Sequence, residues 1–428
     1  MNSVTIIGGG LAGCEAAYQI AKGGIKVKLY EMKPIKFSDA HSNKDLAEIV
    51  CSNSFKSNSI TNACGLLKEE LRILDSLLIK CADITAIPSG QALAVDREVF
   101  SKMVTEEIEK NENIEVIKQE VTTIPDGIVI IATGPLTSEK FSESIKEFIS
   151  QEQLYFYDAA APVIIKESVD MNIGFMADRY GKGESDYINL PMDKVEYLNF
   201  YNELINAEVV QKKDFEKKEL FEGCMPVEEM ARHGEKTLTF GPLKPVGFTD
   251  PRTDKRPYAV VQLRQDNSLG TLYNLVGFQT NLKFGEQKRV FSLIPGLKDA
   301  EFVRYGVMHR NTYINSSNLL DETYNLKSDK RIFFAGQITG VEGYVESVAS
   351  GLVAGINAKN LILGEKKVIF NKETMIGALS EYISTPNKNF QPMNANFGII
   401  KPLDENIRDK KLKYERYSKR ALEKILKY

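Results

Sequence analysis

The mostly apolar run Val4-Thr-Ile-Ile7 predicts a buried strand, and the apolar spacing of Leu11 to about Ala21 predicts a helix directly after it. A second strand is expected over Val27–Tyr30, ending in Glu31. Leu66, Leu67, Leu71, Leu74, Leu77 and Leu78 recur at helical spacing and predict a helix over residues 62–80. Ala92–Arg97 reads as a short strand turning into a helix through Glu98 to Lys110. Residues 114–121 and Gly127–Ile131 read as two more strands, the second running into Ala132-Thr-Gly134. This alternation predicts an α/β, doubly wound domain. Between 135 and 329 it gives way to short strands, tight turns and aromatics, the pattern of an inserted α+β domain. Alternation resumes at Arg331–Gly340, a strand running into a glycine turn, followed by a helix over Tyr344–Leu363. The expected organisation is therefore 1–134, an insertion over 135–329, a return segment over 330–400, and a basic helix over 401–428.

Glycine spacing adds a ligand to this picture. Gly8, Gly10 and Gly13 fall at the three positions of G-x-G-x-x-G between the first strand and helix. The first permits a tight turn, the second lets the backbone approach a pyrophosphate, and the third lets helix and strand pack closely. Gly9, Leu11 and Ala12 complete a loop whose helix N-terminus presents N–H groups and a positive dipole end to phosphates. Glu31 lies 18 residues after Gly13, where a partner for ribose hydroxyls belongs. Gly134 and Gly336-Gln337 close two later strands in the same manner. Segments about 200 residues apart thus aim glycine turns at one ligand. That favours a tightly held FAD over an exchangeable NAD, because simple NAD domains do not need the distant return strand. An A-T-G after a buried strand is also how two-dinucleotide-domain flavoproteins of the glutathione-reductase type return beside the pyrophosphate, a resemblance of fold.

Composition excludes more than it selects. The 428 residues are 43% hydrophobic and 26% charged, and no run approaches the ~20 apolar residues of a membrane span. The chain opens into a core strand, so no secretory leader is expected and a cytoplasmic location is. Five cysteines form no C-x-x-C pair, and three widely separated histidines argue against a metal centre. Net charge is −3, but residues 401–428 carry ten Lys or Arg against five Asp or Glu. Arg408–Tyr428 therefore reads either as a solvated helix docked on the core or as an RNA-contacting face.

Two cysteines stand in polar settings. Cys51 lies in Glu48-Ile-Val-Cys-Ser-Asn-Ser-Phe-Lys-Ser57, where FAD disulfide reductases place a C-x-x-x-x-C pair. Position 56 is Lys, so no dithiol relay is available, and Lys56 with a following helix start is expected to favour the Cys51 thiolate. Cys224 lies in Gly223-Cys-Met-Pro226, with Glu228, Arg232 and His233 close in sequence. Cys14, Cys64 and Cys81 read as small buried hydrophobes.

Gly8–Ala17, Cys51–Ser57, Glu222–Glu228, Phe240–Gly247, His309–Tyr313 and Phe334–Ser347 together resemble the folate- and FAD-dependent tRNA (uracil-5-)-methyltransferase family, from residue 2 to about 400. Gln337 stands where the wider flavoprotein group has the Asp of Gly-Asp, as it does in that family. The resemblance implies methylation of C5 of a tRNA uridine, that of the T-loop, with methylenetetrahydrofolate as carbon donor and FAD reduced by NAD(P)H. It implies that Cys224 attacks C6 and that Cys51 sits at the flavin as methylene partner or proton acceptor. Arg232, His309, Arg310 and Tyr344 are candidates for the base or pterin pocket. No membrane and no stable protein partner are implied. Two other readings stand beside this one: the same chemistry on ribosomal RNA, and a flavin NAD(P)H oxidoreductase acting on a small molecule. A related FAD enzyme of the tRNA wobble uridine would need a long C-terminal helical domain for which 428 residues leave no room.

Overall fold

The computed structural model describes residues 3–38, 40–150, 154–159, 161–181, 186–210, 225–267, 269–306, 308–388, 390–405 and 407–428, with backbone alone at 154–159, 181 and 308–310. Five parallel strands form the first sheet, in the order Ile332–Phe334, Ile128–Ile131, Ser3–Ile7, Lys26–Glu31, Ile114–Lys118. Ile7 lies between Tyr30 on one side and Ile131 on the other. The chain winds outward from Ser3–Ile7 first to one side and then to the other, so a switch point opens at the carboxyl end of that strand. Ligands of open α/β sheets bind at such points.

The sheet's apolar strands are buried on both faces, as parallel strands are. The helix Leu11–Ala21 packs against the helix Tyr344–Leu363. A Cβ on Gly351 would sit 2.3 Å from the Ala12 carbonyl oxygen, and one on Gly355 2.8 Å from that of Ala16. The small residues of the later helix thus admit the first helix.

The leucine-rich stretch is two helices, Ala63–Ile73 and Leu77–Ile84, rather than the one that periodicity predicts. Asp75 takes a left-handed conformation (φ 57°), and the Ser76 side chain caps the second helix through Ile79 N–H. The Ser76 hydroxyl also donates to the buried Glu15 carboxylate at 2.7 Å. A capping residue with a buried acceptor outweighs a continuous leucine pattern.

Residues 163–304 build a second sheet, antiparallel throughout, in the order Phe175–Met176, Tyr187–Met192, Ala259–Gln265, Leu272–Leu275, Val163–Ile165, Phe302–Arg304. The helices Lys194–Asn206 and Phe284–Phe291 contribute to its own apolar core, which includes Tyr197, Phe200, Phe278 and Phe291. A two-stranded ribbon, Leu154–Ala159 with Met308–Tyr313, joins the two parts. The C-terminal helix Lys410–Ile425 is docked: Tyr417, Ala421 and Ile425 are buried in the first core. No helix among the described residues is long and apolar enough to cross a membrane.

Candidate functional site

The switch point holds a pocket lined by Gly8–Ala12, Glu31, Gly134, Gly336, Gln337 and Tyr344. Gly8 has φ 104°, and a Cβ there would lie 2.5 Å from the Ala132 carbonyl oxygen, so the turn requires glycine. At Gly13 a Cβ would meet the Gly8 carbonyl oxygen at 1.8 Å, which makes it the contact between helix and strand. Gly10 differs from both: a Cβ there would meet no protein atom within 4 Å. Its missing side chain leaves room on the ligand side, at the N-cap of the helix Leu11–Ala21. Glu31 is buried, accepting the Gly9 N–H on Oε2 and the Lys33 N–H on Oε1, each at 2.9 Å. Each carboxylate oxygen keeps a further lone pair for a ribose hydroxyl. Open space over Gly10, helix N–H groups and a carboxylate at the second strand's end fit a dinucleotide, and Gly134 and Gly336 line the same pocket. These residues fit FAD.

Residues that spacing left unnamed complete the pocket. Gln119, Glu120 and Val121 line it beyond the strand Ile114–Lys118, and the Gln119 N–H bonds the Glu31 carbonyl at 2.9 Å. The rule that ligands sit past strand carboxyl ends was the available signal. Lys33, His41 and Glu48 also line it. Burial and then the Lys33 charge hold the His41 imidazole below its ordinary pKa, so it is neutral near pH 7. Glu48 stays ionised despite its burial, because the Ser42 N–H and Lys33, at 3.0 Å, favour the carboxylate.

Cys51 stands beside this pocket on a loop held from several sides. The hydroxyl of Tyr344, a residue that lines the pocket, accepts the N–H groups of Cys51 and Ser52 at 3.0 and 3.1 Å. Burial pushes the Tyr344 phenol well above its ordinary range, so it remains neutral. Arg97 donates to the carbonyls of Ile49 and Cys51 at 3.1 and 3.4 Å while its other edge pairs with Asp266 of the second sheet at 3.0 Å. Asn53 donates to the Gln265 carbonyl at 2.9 Å and accepts from Asn274 at 3.2 Å, and Arg264 donates to the Ser52 hydroxyl at 2.7 Å. The second sheet therefore fixes the loop that carries the thiol.

The expected activation of Cys51 by Lys56 and a helix start is not what the fold provides. A strand, Ser54–Ser57, follows Cys51, and the Lys56 ammonium lies 3.7 Å from the buried Glu346 carboxylate. Cys14, Cys64 and Cys81 are buried thiols. Burial raises all three pKa values, to about 11 for Cys64 and about 12 for Cys81.

Cys224 lies outside the described residues. Of the groups near it in sequence, Glu228 is buried and accepts from the Thr280 hydroxyl and the Asn281 N–H at 2.8 and 2.7 Å, which makes it a bracket for that turn. Arg232 is exposed on the short helix Val227–Arg232 and pairs with Glu229 at 3.0 Å. His309 and Arg310 lie on the strand Met308–Tyr313, opposite Asp158 and Tyr157 in register. Gln337 donates to both oxygens of Glu342, at 3.0 and 2.9 Å, at the pocket wall. Among the described residues no cluster of His, Cys, Asp and Glu could hold a metal ion.

The family model for glucose inhibited division protein A matches residues 3–366. A methylenetetrahydrofolate–tRNA-(uracil-5-)-methyltransferase TrmFO of Acetivibrio thermocellus is 63% identical over 426 residues, covering 99% of this chain and 98% of the relative. The protein of that name from Anoxybacillus flavithermus is 60% identical, with 99% and 98% covered. Among solved structures, Aquifex aeolicus GidA superposes with a TM-score of 0.70 at 17% identity, covering 99% of this chain and 72% of that one. That last likeness is one of fold.

Proposed function

Because the chain belongs to the TrmFO family, with relatives 63 and 60% identical over 99% of its length, we propose that it methylates C5 of a tRNA uridine, that of the T-loop, using methylenetetrahydrofolate. The observation that carries this reading within the fold is the Cys51 loop, pinned by Tyr344 at the wall of a pocket suited to FAD. When bound, FAD supplies the two electrons of NAD(P)H and relays the folate's one-carbon unit.

The chain's own residues supply the rest. C5 of uracil is a poor nucleophile until a thiolate adds to C6, which makes C4–C5–O4 an enolate. Cys224 is assigned this attack: its sulfur bonds to C6, and the electron pair of the C5–C6 double bond moves to the enolate. C5 then bonds the incoming carbon. The C5 proton passes to a base, assigned to Cys51, and expulsion of the Cys224 thiolate restores the C5–C6 double bond. The carbon ends at the methyl level through the two electrons from NAD(P)H. Gly8–Gly13 would hold the pyrophosphate, Glu31 the ribose, and Gly134 and Gly336-Gln337 the far side of the cofactor. The uridine must leave its stack to reach this site. Arg232, His309 and Arg310, in the 135–329 part of the chain, are assigned to RNA or pterin contact. Such work places the protein with tRNA in the cytoplasm.

Mass spectrometry of nucleosides from a deletion strain tests the assignment. Loss of 5-methyluridine from tRNA, restored by this chain, supports it; loss from ribosomal RNA alone transfers the reading to that substrate.

A further inference from the structure

Two guanidinium groups hold the Cys51–Ser52 loop, a third lies beside one of them, and one carboxylate acts on all three. Arg97 holds the Cys51 carbonyl, Arg264 holds the Ser52 hydroxyl, and Arg304, at the edge of the second sheet, lines one cleft with Arg97 and Asp266. Asp266 is that carboxylate. Its two oxygens are spent on Arg97, at 3.0 to 3.2 Å, and on Asn274 at 3.1 Å. The buried Nε and Nη2 of Arg304 have no hydrogen-bond partner, and neither has the buried Nε of Arg264. A guanidinium cannot shed its charge near neutral pH, so uncompensated burial is costly unless an anion completes the site. Burial, and then Arg97, press the Arg304 pKa down to about 10, against the opposing pull of Asp266.

The geometry also gives an approach. Arg97, Asp266 and Arg304 line a cleft of about 800 Å³ whose mouth carries the exposed Lys44 and Lys102. Glu48, on the same wall, is already paired with Lys33. Asp45 and Glu98 line the same cleft, so the unpartnered donors of Arg304, rather than the net charge of its walls, mark the place for an anion.

We propose that Arg304, with Arg97 beside it on the wall of this cleft, forms an oxyanion subsite that takes a carboxylate or phosphate group of a substrate. A planar guanidinium donates two parallel hydrogen bonds to either group. Binding there supplies the acceptors that Arg304 lacks and presses an anion against the elements that position Cys51. The proposal rests on the reading above for its two sources of anion, the glutamyl tail of the folate and the RNA backbone.

The test uses full-length, FAD-loaded protein and its Arg304→Gln and Arg304→Lys variants. Three probes are titrated: tetrahydrofolate triglutamate, a tail-less tetrahydropterin, and a T-arm RNA hairpin over a range of salt. Arg304→Gln should weaken one anionic probe at least about tenfold, about 1.4 kcal/mol, with flavin content and the tail-less pterin unchanged. Loss of the triglutamate's advantage over the tail-less pterin assigns the site to the folate. A weaker hairpin with a salt slope reduced by about 0.7 to 0.9 assigns it to RNA phosphate. Partial rescue by Arg304→Lys supports a charge-dependent role in either arm. Unchanged binding of both anions by a flavin-replete Arg304→Gln protein overturns the proposal. If that variant sheds its flavin, the wild type decides. Inorganic phosphate, matched in ionic strength against chloride, should slow alkylation of Cys51, and equal rates overturn the proposal. Wild-type protein that methylates no RNA overturns the proposed function, whereas the phosphate experiment reports on the subsite by itself.

Discussion

A Cβ at Gly10 would meet no protein atom within 4 Å, so Gly10→Val should fold. The added methyls would stand where a pyrophosphate has to approach, and the expected product is a stable, colourless protein. Absorbance at the flavin bands and a melting curve check both halves, and retained flavin would show that this loop is not the phosphate cradle. Tyr344→Phe removes the acceptor shared by the Cys51 and Ser52 N–H groups. An orphaned buried donor costs about 1–3 kcal/mol, and a displaced reacting group costs about 100-fold in rate. The variant should therefore keep its FAD while kcat falls by about that factor, and an unchanged kcat would remove Tyr344 from the site. Cys224→Ala should abolish trapping of the protein on 5-fluorouridine RNA, which cannot lose a proton from C5. Adduct formation by that variant would place the nucleophile elsewhere, with Cys51 the first suspect. At this scale the sequence was partly legible. Glycine spacing disclosed Gly8, Gly10 and Gly13 because their roles are local. The Arg97–Asp266 pair and Arg304 were hidden, since residues 169 or more positions apart meet only through the packing of two sheets.

Elements were legible where hydrophobic period and capping agreed. The helices Leu11–Ala21 and Tyr344–Leu363 run over the residues their spacing predicts, and Asp96 caps Arg97–Glu109 where the strand turns over. The leucine-rich stretch misled because Asp75 and Ser76 break it through contacts with a distant helix. The start of one helix is also held from outside: the buried Glu70 carboxylate accepts the N–H groups of Met375 and Ile376 at 2.7 and 2.8 Å. Burial raises its pKa from 4.5 to about 8, against those two bonds. A folded-state pKa above the unfolded value means that its stability contribution is full below pH 4.5 and is lost as pH rises through about 8. Wild-type melting temperature, measured relative to Glu70→Gln, should therefore fall between those limits; a difference independent of pH would contradict the linkage. The basic helix Lys410–Ile425 buries Tyr417, Ala421 and Ile425, worth about 1.5–3 kcal/mol for each large side chain. Truncation before it should cost flavin and stability together, so it cannot report on RNA. Arg408, Lys410, Lys411, Arg416 and Lys419 remain exposed, and their neutralisation with flavin content unchanged is the cleaner probe of a nucleic-acid face.

Over the whole molecule, the parallel sheet brings together glycine turns that are about 200 residues apart in the chain, and the antiparallel sheet reaches back to hold the thiol loop between them. The α/β class and the inserted α+β unit were legible because alternation stops and resumes; the order of the antiparallel strands was not, because short strands carry little register information of their own. The proposed chemistry needs both sheets: one to hold the cofactor, the other to fix Cys51 and present the RNA base. The most direct measurement is transfer of isotope from the methylene carbon of labelled methylenetetrahydrofolate to unmodified tRNA, with purified FAD-loaded protein and NAD(P)H, against a parallel reaction with labelled S-adenosylmethionine. The account predicts label in 5-methyluridine from the folate alone, dependent on NAD(P)H and abolished by Cys51→Ala and Cys224→Ala. Label arriving from S-adenosylmethionine, or no labelled 5-methyluridine from a flavin-replete enzyme, would contradict it.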